Sequence, residues 1–331
     1  LSIMRGVDAT LGAVSYTVNL ELSKLAVEAG CHWCDMGGNN TVVAAQLELD
    51  EDAKSAGVSL IPDTGLAPGM VGVLAMHGIA RMDEAHAVHL RVGGLPQEPE
   101  PPLNYALVFS VQGLINEYVE PCVAIRDGGI VDDIEPLVDL ESIEFREPYG
   151  TLEAFNTSGG TSTLPQTLLG KIRDLDYKTI RYPGHAAQIR AMLKLGLMSD
   201  EPVDVGDVRV APRAVLERLI ADNVPGGVDD LVLVRVVVEG EKGGTPARAV
   251  YEMVDLKDQR TGLTAMMRGT AFPSAAICAM MARGETPAGA VPQELALDPD
   301  RFLQELRSRG LPIEDRFETV SYTHLTLPTM Q

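Results

Sequence analysis

The chain has 331 residues, 45% of them hydrophobic and 22% charged, which is the composition of a globular protein long enough for two domains. Aspartate and glutamate outnumber lysine and arginine by 47 to 27, so the net charge is −20. This charge disfavours nucleic acids and anionic membranes as partners. No segment of the sequence approaches the ~18 consecutive apolar residues of a membrane-spanning helix.

Strand-like and helix-like segments alternate in the first part of the chain. The predicted strands are Asp8–Ser15, Cys31–Met36 and Val58–Pro62. The predicted helices are Val18–Ala29 and Thr41–Ala56, each followed directly by a glycine, the residue that commonly ends helices. Strands that alternate with helices indicate βαβ units and a parallel sheet.

Two polar, glycine-rich turns follow the second and third predicted strands. They contain Asp35, Gly37, Gly38, Asn39 and Asn40 in the first turn, and Asp63, Thr64, Gly65, Pro68 and Gly69 in the second. Ligands of open α/β sheets bind outside the carboxyl ends of the strands, so these turns indicate one wall of a crevice. Ordinary βα turns favour the same residue types, and that interpretation stays open. Pro68 is expected in the first turn of a helix over Gly69–Ile79.

From about Ala85 the pattern changes to alternating strands with hairpin-type connections. The predicted strands are His86–Val92, Ala106–Val111, Cys122–Arg126, Leu231–Val238 and Ala247–Val254, and the predicted helices are Ala186–Leu197, Leu263–Ala282 and Phe302–Arg309. This part of the chain is therefore predicted to form a second, mainly antiparallel domain.

The four cysteines do not indicate a disulfide scaffold in a chain of this length. Cys31 and Cys34 form a C-x-x-C pair, but they lie on a predicted strand, whereas a thioredoxin-type pair opens a helix. Cys122 and Cys278 stand alone, so no second pair completes a zinc site. We expect reduced thiols, no metal and a cytoplasmic location.

Two long blocks of the sequence resemble a known family. CDMGGNN (Cys34–Asn40) with IPDTGLAPGM (Ile61–Met70), and LEAFNTSGGTSTLPQTL (Leu152–Leu168) with YKTIRYPGH (Tyr177–His185), resemble the saccharopine dehydrogenase superfamily, in particular its lysine 6-dehydrogenase branch. The resemblance implies an α/β fold: a partial Rossmann-type parallel sheet followed by an α+β, mainly antiparallel domain for substrate binding and dimerisation. Residues 1–82 are expected to form the C-terminal part of the Rossmann-type domain, and residues 83–285 the domain for substrate binding and dimerisation. Residues 286–317 are expected to form a C-terminal segment with a short helix, followed by a tail over residues 318–331.

The resemblance also bears on both ends of the sequence. In the family a glycine-rich phosphate-binding turn lies upstream of the first strand found here, so on the order of 70 residues are expected to precede it. Without that turn, tight binding of NAD or NADP by this chain is not expected, and the residue that would distinguish the two cofactors is not in the sequence. The segment 318–331 is expected to be non-native because VSYTHLTLPT (Val320–Thr329) resembles a sequencing adapter.

The resemblance assigns candidate cofactor and substrate residues. The nicotinamide end of NAD or NADP is expected at Ala13, Val14, Ser15, Gly65, Leu66, Pro68 and Gly69. The substrate carboxylate is expected at the polar turn formed by Asn156, Thr157, Ser158, Gly159 and Gly160. For both sets, purely structural roles as strand and turn residues remain the alternative.

Single side chains suggest further roles. Arg181 suits a carboxylate fork, although arginines on strands often pair with surface acids. His185 suits proton transfer by its ordinary pKa, although a capping or packing role is also open to it. Asp35 is an alternative base. The resemblance also implies that Gln112 stands where the saccharopine-forming enzymes have an arginine, which argues against a substrate with an additional carboxylate.

The sequence therefore predicts an NAD(P)-dependent dehydrogenase that oxidises the ε-amine carbon of L-lysine. Alternatives are a secondary-amine enzyme of the saccharopine or carboxynorspermidine type, and a non-catalytic scaffold with the same fold. The hairpin-like region Leu231–Val254 is expected to form an intersubunit sheet in a homodimer or larger homo-oligomer.

Overall fold

Two β-sheets organise the computed structural model, which describes residues 1–319. The first sheet begins with three parallel strands, β1 (Ala9–Gly12), β2 (His32–Asp35) and β3 (Ser59–Ile61). Their connections contain α1 (Asn19–Ala29), α2 (Asn40–Leu47) and α3 (Asp50–Ala56). The predicted βαβ alternation is therefore confirmed.

The helix ends of this region follow from local chemistry. Gly30 and Gly57 end α1 and α3 with φ values of 69° and 68°, in the left-handed region that glycine enters at low cost. The predicted single helix Thr41–Ala56 is wrong, because it is divided into α2 and α3. Three acidic residues, Asp50 to Asp52, stand in the first turn of α3, where the helix dipole favours negative charge and therefore a new helix start.

The helix after β3 starts later than predicted. α4 spans Val71–Ala80, whereas Ala67, Pro68 and Gly69 have non-helical backbone angles. Pro68 therefore does not lie in the first turn of this helix. Gly69 has a φ of 128°, and a Cβ atom there would lie 2.8 Å from the carbonyl oxygen of Asp63. The chain can make this tight turn only because residue 69 lacks a side chain.

The second sheet contains nine strands within residues 1–319. They are β4 (Glu84–Pro96), β5 (Cys122–Arg126), β6 (Gly129–Ile134), β7 (Glu141–Phe145), β8 (Gly150–Asn156), β9 (Asp174–Arg181), β12 (Asp230–Lys242), β13 (Thr245–Leu256) and β15 (Ile313–Thr319). The order is β15-β13-β12-β4-β9-β5-β6, with β8 beside β9 and β7 beside β8. All pairings are antiparallel except that of β4 with β9.

The remaining helices are α5 (Val111–Val119), α6 (Leu164–Leu168), α7 (His185–Lys194), α8 (Pro212–Asn223), α9 (Ala265–Ala282), α10 (Gln293–Ala296) and α11 (Pro299–Ser308), and β10 (Val203–Val205) pairs with β11 (Val208–Val210) in a small hairpin. The prediction of a strand over Ala106–Val111 is wrong. Val111 instead begins α5, because the Ser110 side chain accepts a hydrogen bond from the backbone N–H of Gly113 and caps the helix.

The chain returns to the first sheet after leaving the second. α9 packs on β1, β2 and β12, and β14 (Gly289–Ala290) extends the first sheet beside β3. Apolar side chains from both sheets share one core with α4 and α9, including Ile61, Val88, Leu90, Val232 and Val234. The α/β class, with a parallel sheet followed by a mainly antiparallel one, is the architecture that the sequence predicts.

The long hairpin of β12 and β13 lies inside the second sheet. β12 pairs with β4, and β13 pairs with β15, so within the described residues neither long side of the hairpin is left for edge pairing with another subunit. The expected intersubunit sheet is therefore wrong in that form, and the homodimer stays a prediction. Glu318 and Thr319, expected in the non-native segment, belong to β15. Residues 320–331 lie outside the described part of the chain.

None of the helices within residues 1–319 combines the length and the apolar character needed to cross a membrane.

Candidate functional site

A cleft of about 1260 Å³ separates the carboxyl ends of β1, β2 and β3 from α5 and the turn after β8. A smaller pocket of about 450 Å³, called the inner pocket, adjoins the cleft between β4, β9 and α9. The cleft and the inner pocket share the lining residues Met36, Ala67, Pro68, Phe109, Glu117 and Tyr177. A ligand in the cleft could therefore meet a second molecule in the inner pocket at this junction.

The residues expected to contact a nicotinamide divide into two groups. Val14 and Ser15 line the cleft, Gly65 and Leu66 line the inner pocket, and Pro68 lines both. Ala13 and Gly69 are not among the lining residues of either space. Gly69 serves the tight turn behind Asp63, as its close approach to the backbone of that residue shows.

Asp35 lies behind the wall of the cleft and is fully buried. Its Oδ1 accepts a hydrogen bond of 2.8 Å from the Gly37 backbone N–H, and its Oδ2 accepts bonds from Trp33 Nε1 at 2.9 Å and from Gln46 Nε2 at 2.6 Å. The carboxylate thus holds the turn after β2 and does not line the cleft. This arrangement favours a structural role over that of a base.

Asp63 belongs to the second polar turn that the sequence predicts, but it had no individual role in that prediction. It follows β3 with a φ of 59°, lines the cleft and is nearly fully buried. Its Oδ2 accepts a hydrogen bond from the Ser162 hydroxyl, while Oδ1 has no hydrogen-bond partner within the described chain. Burial raises the pKa of Asp63 to about 7. Its position at a strand end was the available signal, because perturbed acids concentrate at functional sites.

Glu117 and Arg181 lie at the inner end of the cleft. Glu117, on α5, lines both spaces, and Arg181, at the end of β9, lines the inner pocket. Glu117 Oε2 lies 3.7 Å from Arg181 Nη2, longer than the 2.7–2.9 Å typical of a charge-assisted hydrogen bond. Burial raises the pKa of Glu117 to about 7, although the Arg181 cation opposes this rise. Each group therefore keeps hydrogen-bonding capacity for a ligand.

Glu117 was missed because the sequence analysis did not recognise α5 as a helix. On that helix Glu117 stands three residues after Leu114, which is buried, and next to the buried Tyr118. An acidic residue on the apolar side of an amphipathic helix was the signal that could have identified it. Its side chain keeps 29% of its surface exposed because it faces the cavity.

His185 lies outside both spaces, at the start of α7. Its Nδ1 is 3.0 Å from the Leu103 carbonyl oxygen, and its Nε2 is 2.9 Å from the Tyr118 hydroxyl. Because a carbonyl only accepts, Nδ1 donates and Nε2 accepts from Tyr118, whose oxygen in turn accepts from Arg181 Nε at 3.3 Å. Burial and the nearby Arg181 lower the pKa of His185 to about 3. This favours a neutral imidazole that orients Tyr118 and Arg181.

The residues of the turn after β8 also fall into two groups. Ser158, Gly159 and Gly160 line the cleft, whereas Asn156 donates to Asp139 at 2.9 Å and Thr157 pairs with the Thr179 hydroxyl at 2.6 Å. These two residues are buried behind the cleft surface. They hold the turn, and the three that follow present it to a ligand.

Gly160 leaves room for the Tyr177 ring. A Cβ atom at position 160 would lie 2.4 Å from ring carbons of Tyr177, so any side chain there would displace the ring. Tyr177 lines both spaces, and burial raises its phenol pKa. Gly160 therefore shapes the junction between the cleft and the inner pocket.

Gln112 lines the outer part of the cleft on α5, beside a cation that the sequence analysis missed. Arg213 of α8 donates from Nη2 to the Gln112 carbonyl oxygen at 3.4 Å and to Asn116 Oδ1 at 2.5 Å. Its Nε donates to Glu217 Oε1 at 2.8 Å. The positive charge of Arg213 is thus largely engaged by protein groups.

No group of three or more His, Cys, Asp or Glu residues within residues 1–319 is arranged to hold a metal ion.

Known proteins resemble this chain both in sequence and in fold. Residues 65–311 match the family model of the saccharopine dehydrogenase C-terminal domain. The chain is 24% identical over 204 residues to the L-glutamate-forming, NADP(+) saccharopine dehydrogenase of Pyricularia oryzae, covering 59% of this chain and 44% of that protein. It is 24% identical over 208 residues to the mitochondrial alpha-aminoadipic semialdehyde synthase of Rattus norvegicus, covering 60% of this chain and 22% of that protein.

Solved structures show the same fold. Apo saccharopine dehydrogenase (L-Glu forming) of Saccharomyces cerevisiae superposes with a TM-score of 0.77 at 16% identity, covering 96% of this chain and 86% of the other. The homospermidine synthase of Legionella pneumophila, solved in complex with NAD, superposes with a TM-score of 0.66 at 11% identity, covering 100% and 80%. The chain spans less than half the length of the curated relatives it matches. Because the family model matches well over half of the sequence, the chain belongs to the saccharopine dehydrogenase C-terminal domain family.

Proposed function

We propose that this protein is an NAD(P)-dependent oxidoreductase that oxidises the ε-amine carbon of L-lysine. Family membership supports an amino-acid dehydrogenase, since the relatives include NADP(+)-dependent saccharopine dehydrogenases. The observation that carries the choice of substrate is the inner pocket, where a single buried arginine stands beside a single titrating carboxyl group.

The pair of Glu117 and Arg181 has the chemistry to hold an amino-acid head group. A guanidinium binds a carboxylate through its planar N–H groups, and a carboxylate accepts hydrogen bonds from an ammonium group. The 3.7 Å separation of the two side chains leaves each of them incompletely satisfied by the other. We therefore assign the α-carboxylate of the substrate to Arg181 and its α-ammonium group to Glu117.

The rest of the inner pocket suits an aliphatic chain. Its walls include Leu66, Val92, Val108 and Met266, and its volume of about 450 Å³ is in the range of small-molecule sites. We propose that a lysine whose head group is held at Arg181 and Glu117 extends across the junction, so that its ε carbon, rather than its head group, lies beside Ala67 and Pro68. This orientation favours reaction at the ε carbon rather than the α carbon.

The cleft fits the nicotinamide half of NAD or NADP. Gly37 and Gly38, with φ values of 71° and 119°, leave the backbone accessible on its wall, and the buried Asp63 Oδ1 there has no partner within the described residues. Val14, Ser15, Gly65, Leu66 and Pro68 would hold the nicotinamide end. When bound, the cofactor would accept the hydride.

A secondary amine of the saccharopine type is the second candidate substrate. Arg213 favours it, because a cation in the outer cleft could bind a further carboxylate. Its existing hydrogen bonds to Glu217 and Asn116 weaken this interpretation, since a ligand would have to replace them.

Steady-state reduction of NAD and NADP by the full-length gene product tests the proposal. We expect turnover with L-lysine, little with cadaverine, which lacks the carboxylate, and none with saccharopine. Deuterium at the ε carbon of lysine should slow cofactor reduction, whereas deuterium at the α carbon should not. Turnover with saccharopine alone would replace the proposal by the second candidate, and an isotope effect at the α carbon would refute the assigned orientation.

A further inference from the structure

Two cysteines that are distant in the sequence meet between β2 and α9. Cys34 is fully buried on β2, and Cys278 lies on α9 with its side chain partly exposed. Cys34 Sγ is 3.9 Å from the carbonyl oxygen of Ser274, which stands one helical turn before Cys278 on the same face of α9. α9 packs on β2, so Cys278, on the next turn of this face, neighbours Cys34 across the contact, and the two thiols shift the pKa of one another.

The two thiols differ in ways that suit sequential oxidation. The interaction with Cys34 lowers the pKa of the Cys278 thiol, which favours the thiolate at this partly accessible position. The same interaction, together with burial, raises the pKa of the Cys34 thiol well above its usual value. A reactive thiolate next to a protected thiol is the arrangement found in redox-sensing cysteines.

We propose that Cys34 and Cys278 are a redox-active thiol pair that closes to a disulfide between β2 and α9. With hydrogen peroxide as the oxidant, the Cys278 thiolate attacks one peroxide oxygen, and the O–O bond breaks to leave a sulfenic acid and, after protonation, water. The Cys34 sulfur then attacks the sulfenic sulfur, forming the S–S bond and releasing a second water. Two thiols and one peroxide thus give one disulfide and two waters.

The other two cysteines do not share this arrangement. Cys31 Sγ lies 3.1 Å from the Thr10 hydroxyl and is buried in the outer core of the first sheet, and Cys122 is buried in a separate cluster near Ile134. The pair also has a connection to the candidate site. Met36, two residues after Cys34, lines the inner pocket, as do Met266, Met267, Thr270 and Ala271 on α9, so the disulfide would link two of its walls.

Peptide mapping of the oxidised full chain tests the proposal. The protein is treated with one equivalent of hydrogen peroxide, remaining thiols are alkylated in denaturant, and peptides are analysed without reduction. We expect a Cys34–Cys278 cross-linked peptide lighter by two hydrogen atoms, with Cys31 and Cys122 alkylated. A link between Cys31 and Cys34, sulfinic acid at Cys278 with Cys34 still free, or no oxidation at all would each overturn the proposal.

Two variants separate the oxidation of Cys278 from the closure of the disulfide. Cys34→Ala removes the resolving thiol with little change of volume, so Cys278 should accumulate as a sulfenic acid that dimedone labels. Cys278→Ser should abolish the cross-link and leave Cys34 reduced. Cys122→Ser is the matched control, and it should form the cross-link to the same extent as the unchanged protein. Dimedone labelling of Cys31 or Cys122 in place of Cys278 would contradict the assignment.

Discussion

Glu117 and Arg181 face each other where the inner pocket joins the cleft, with Glu117 Oε2 3.7 Å from Arg181 Nη2. The arginine reaches this position from the end of β9 and is held there by Tyr118 and the Ile180 carbonyl oxygen. The glutamate comes from α5, on the other side of the pocket. α5 and β9 thus bring one cation and one carboxyl group together in a largely apolar space.

Replacing Glu117 by glutamine should weaken the binding of L-lysine more than it slows the chemical step. The amide cannot pair with the α-ammonium group as a carboxylate does, so we expect KM to rise roughly 10- to 100-fold while kcat changes little. Initial rates against lysine concentration measure this. Glu120→Gln is the matched control, because Glu120 lines the outer cleft but is exposed. A fall in kcat with unchanged KM would make Glu117 a proton acceptor instead.

The pKa of Glu117 predicts how substrate binding depends on pH. Since burial raises this pKa to about 7, the carboxylate that pairs with the ammonium group forms as pH rises through about 7. KM for lysine should therefore fall over this range in the unchanged protein. In Glu117→Gln the same measurement should show no such step, and a step that persists in this variant would assign it to another group.

Replacing Arg181 by lysine should also raise KM for L-lysine, on the order of tenfold or more, because an ammonium group lacks the planar fork that binds a carboxylate. Arg213→Lys is the control, since Arg213 lies in the outer cleft and is already paired with Glu217. It should leave lysine kinetics nearly unchanged. A strong effect at Arg213 with none at Arg181 would favour a substrate whose carboxylate binds in the outer cleft.

Asp63→Asn should change the pH dependence of stability. The pKa of Asp63 in the folded protein is about 7, above the ordinary value of 3.8. Between about pH 4 and pH 7 the unfolded chain has therefore lost this proton while the folded protein still holds it. The free energy of unfolding consequently falls as the pH rises through this range. Asp63→Asn has no titrating group at this position, so its free energy of unfolding does not fall for this reason. Its free energy of unfolding relative to the unchanged protein should rise by on the order of 2–4 kcal/mol between pH 5 and pH 8.

Urea unfolding at both pH values measures the effect of Asp63→Asn. The amide can still accept the hydrogen bond from Ser162, and asparagine tolerates the positive φ of this position. Asp133→Asn, at an exposed position on β6, serves as the control and should give parallel stability curves. Parallel curves for Asp63→Asn as well would show that its carboxyl group is not perturbed.

His185→Gln distinguishes a positioning role from proton transfer. Because the pKa of His185 is lowered to about 3, its ring is neutral at working pH, and the shape of the pH–rate profile should not change in the variant. Stability should fall by about 1–3 kcal/mol at neutral pH, as hydrogen bonds to Tyr118 and Leu103 are disturbed. His86→Gln, at a more exposed histidine, is the control. Loss of a titrating limb in the rate profile would restore the catalytic interpretation.

The lowered pKa of His185 also makes the folded protein less stable in acid. The unfolded chain protonates His185 near its ordinary pKa of 6.5, whereas the folded protein resists protonation down to about 3. The stability contributed by the neutral ring is therefore complete above pH 6.5 and is lost as pH falls below it. In urea titrations, His185→Gln should lose less stability than the unchanged protein between pH 6.5 and pH 4.

Gly160→Ala should alter the junction between the cleft and the inner pocket. The new methyl group would lie 2.4 Å from the Tyr177 ring, so the ring must move, at a cost of roughly 1–3 kcal/mol of stability. Turnover should fall as well, since Tyr177 lines both spaces. At Gly129 an added Cβ meets only the Arg126 carbonyl oxygen at 3.7 Å, so Gly129→Ala is the control. Equal effects of the two substitutions would refute the role of Gly160.

Local patterns in the sequence were sufficient for much of the fold. Helix-ending glycines at positions 30 and 57 and the spacing of apolar residues located α1, β2 and β3 to within a few residues. The alternation in Leu231–Val238 and Ala247–Val254 identified β12 and β13. The prediction of a strand over Ala106–Val111 failed because a short apolar run does not distinguish a strand from a loop that leads into a capped helix.

The sequence by itself determined the α/β class, the family and the polar turns after β2 and β3, because these depend on residues close together in the chain. Only the tertiary structure decided which side chains meet. Glu117 faces Arg181, Ser162 donates to Asp63, and Cys34 contacts Ser274 on α9, one turn before Cys278, across long stretches of sequence. Tertiary packing also places the Asp35 and His185 side chains outside the cleft. It raises the pKa of Glu117, because burial and the distance between charges depend on the packed fold.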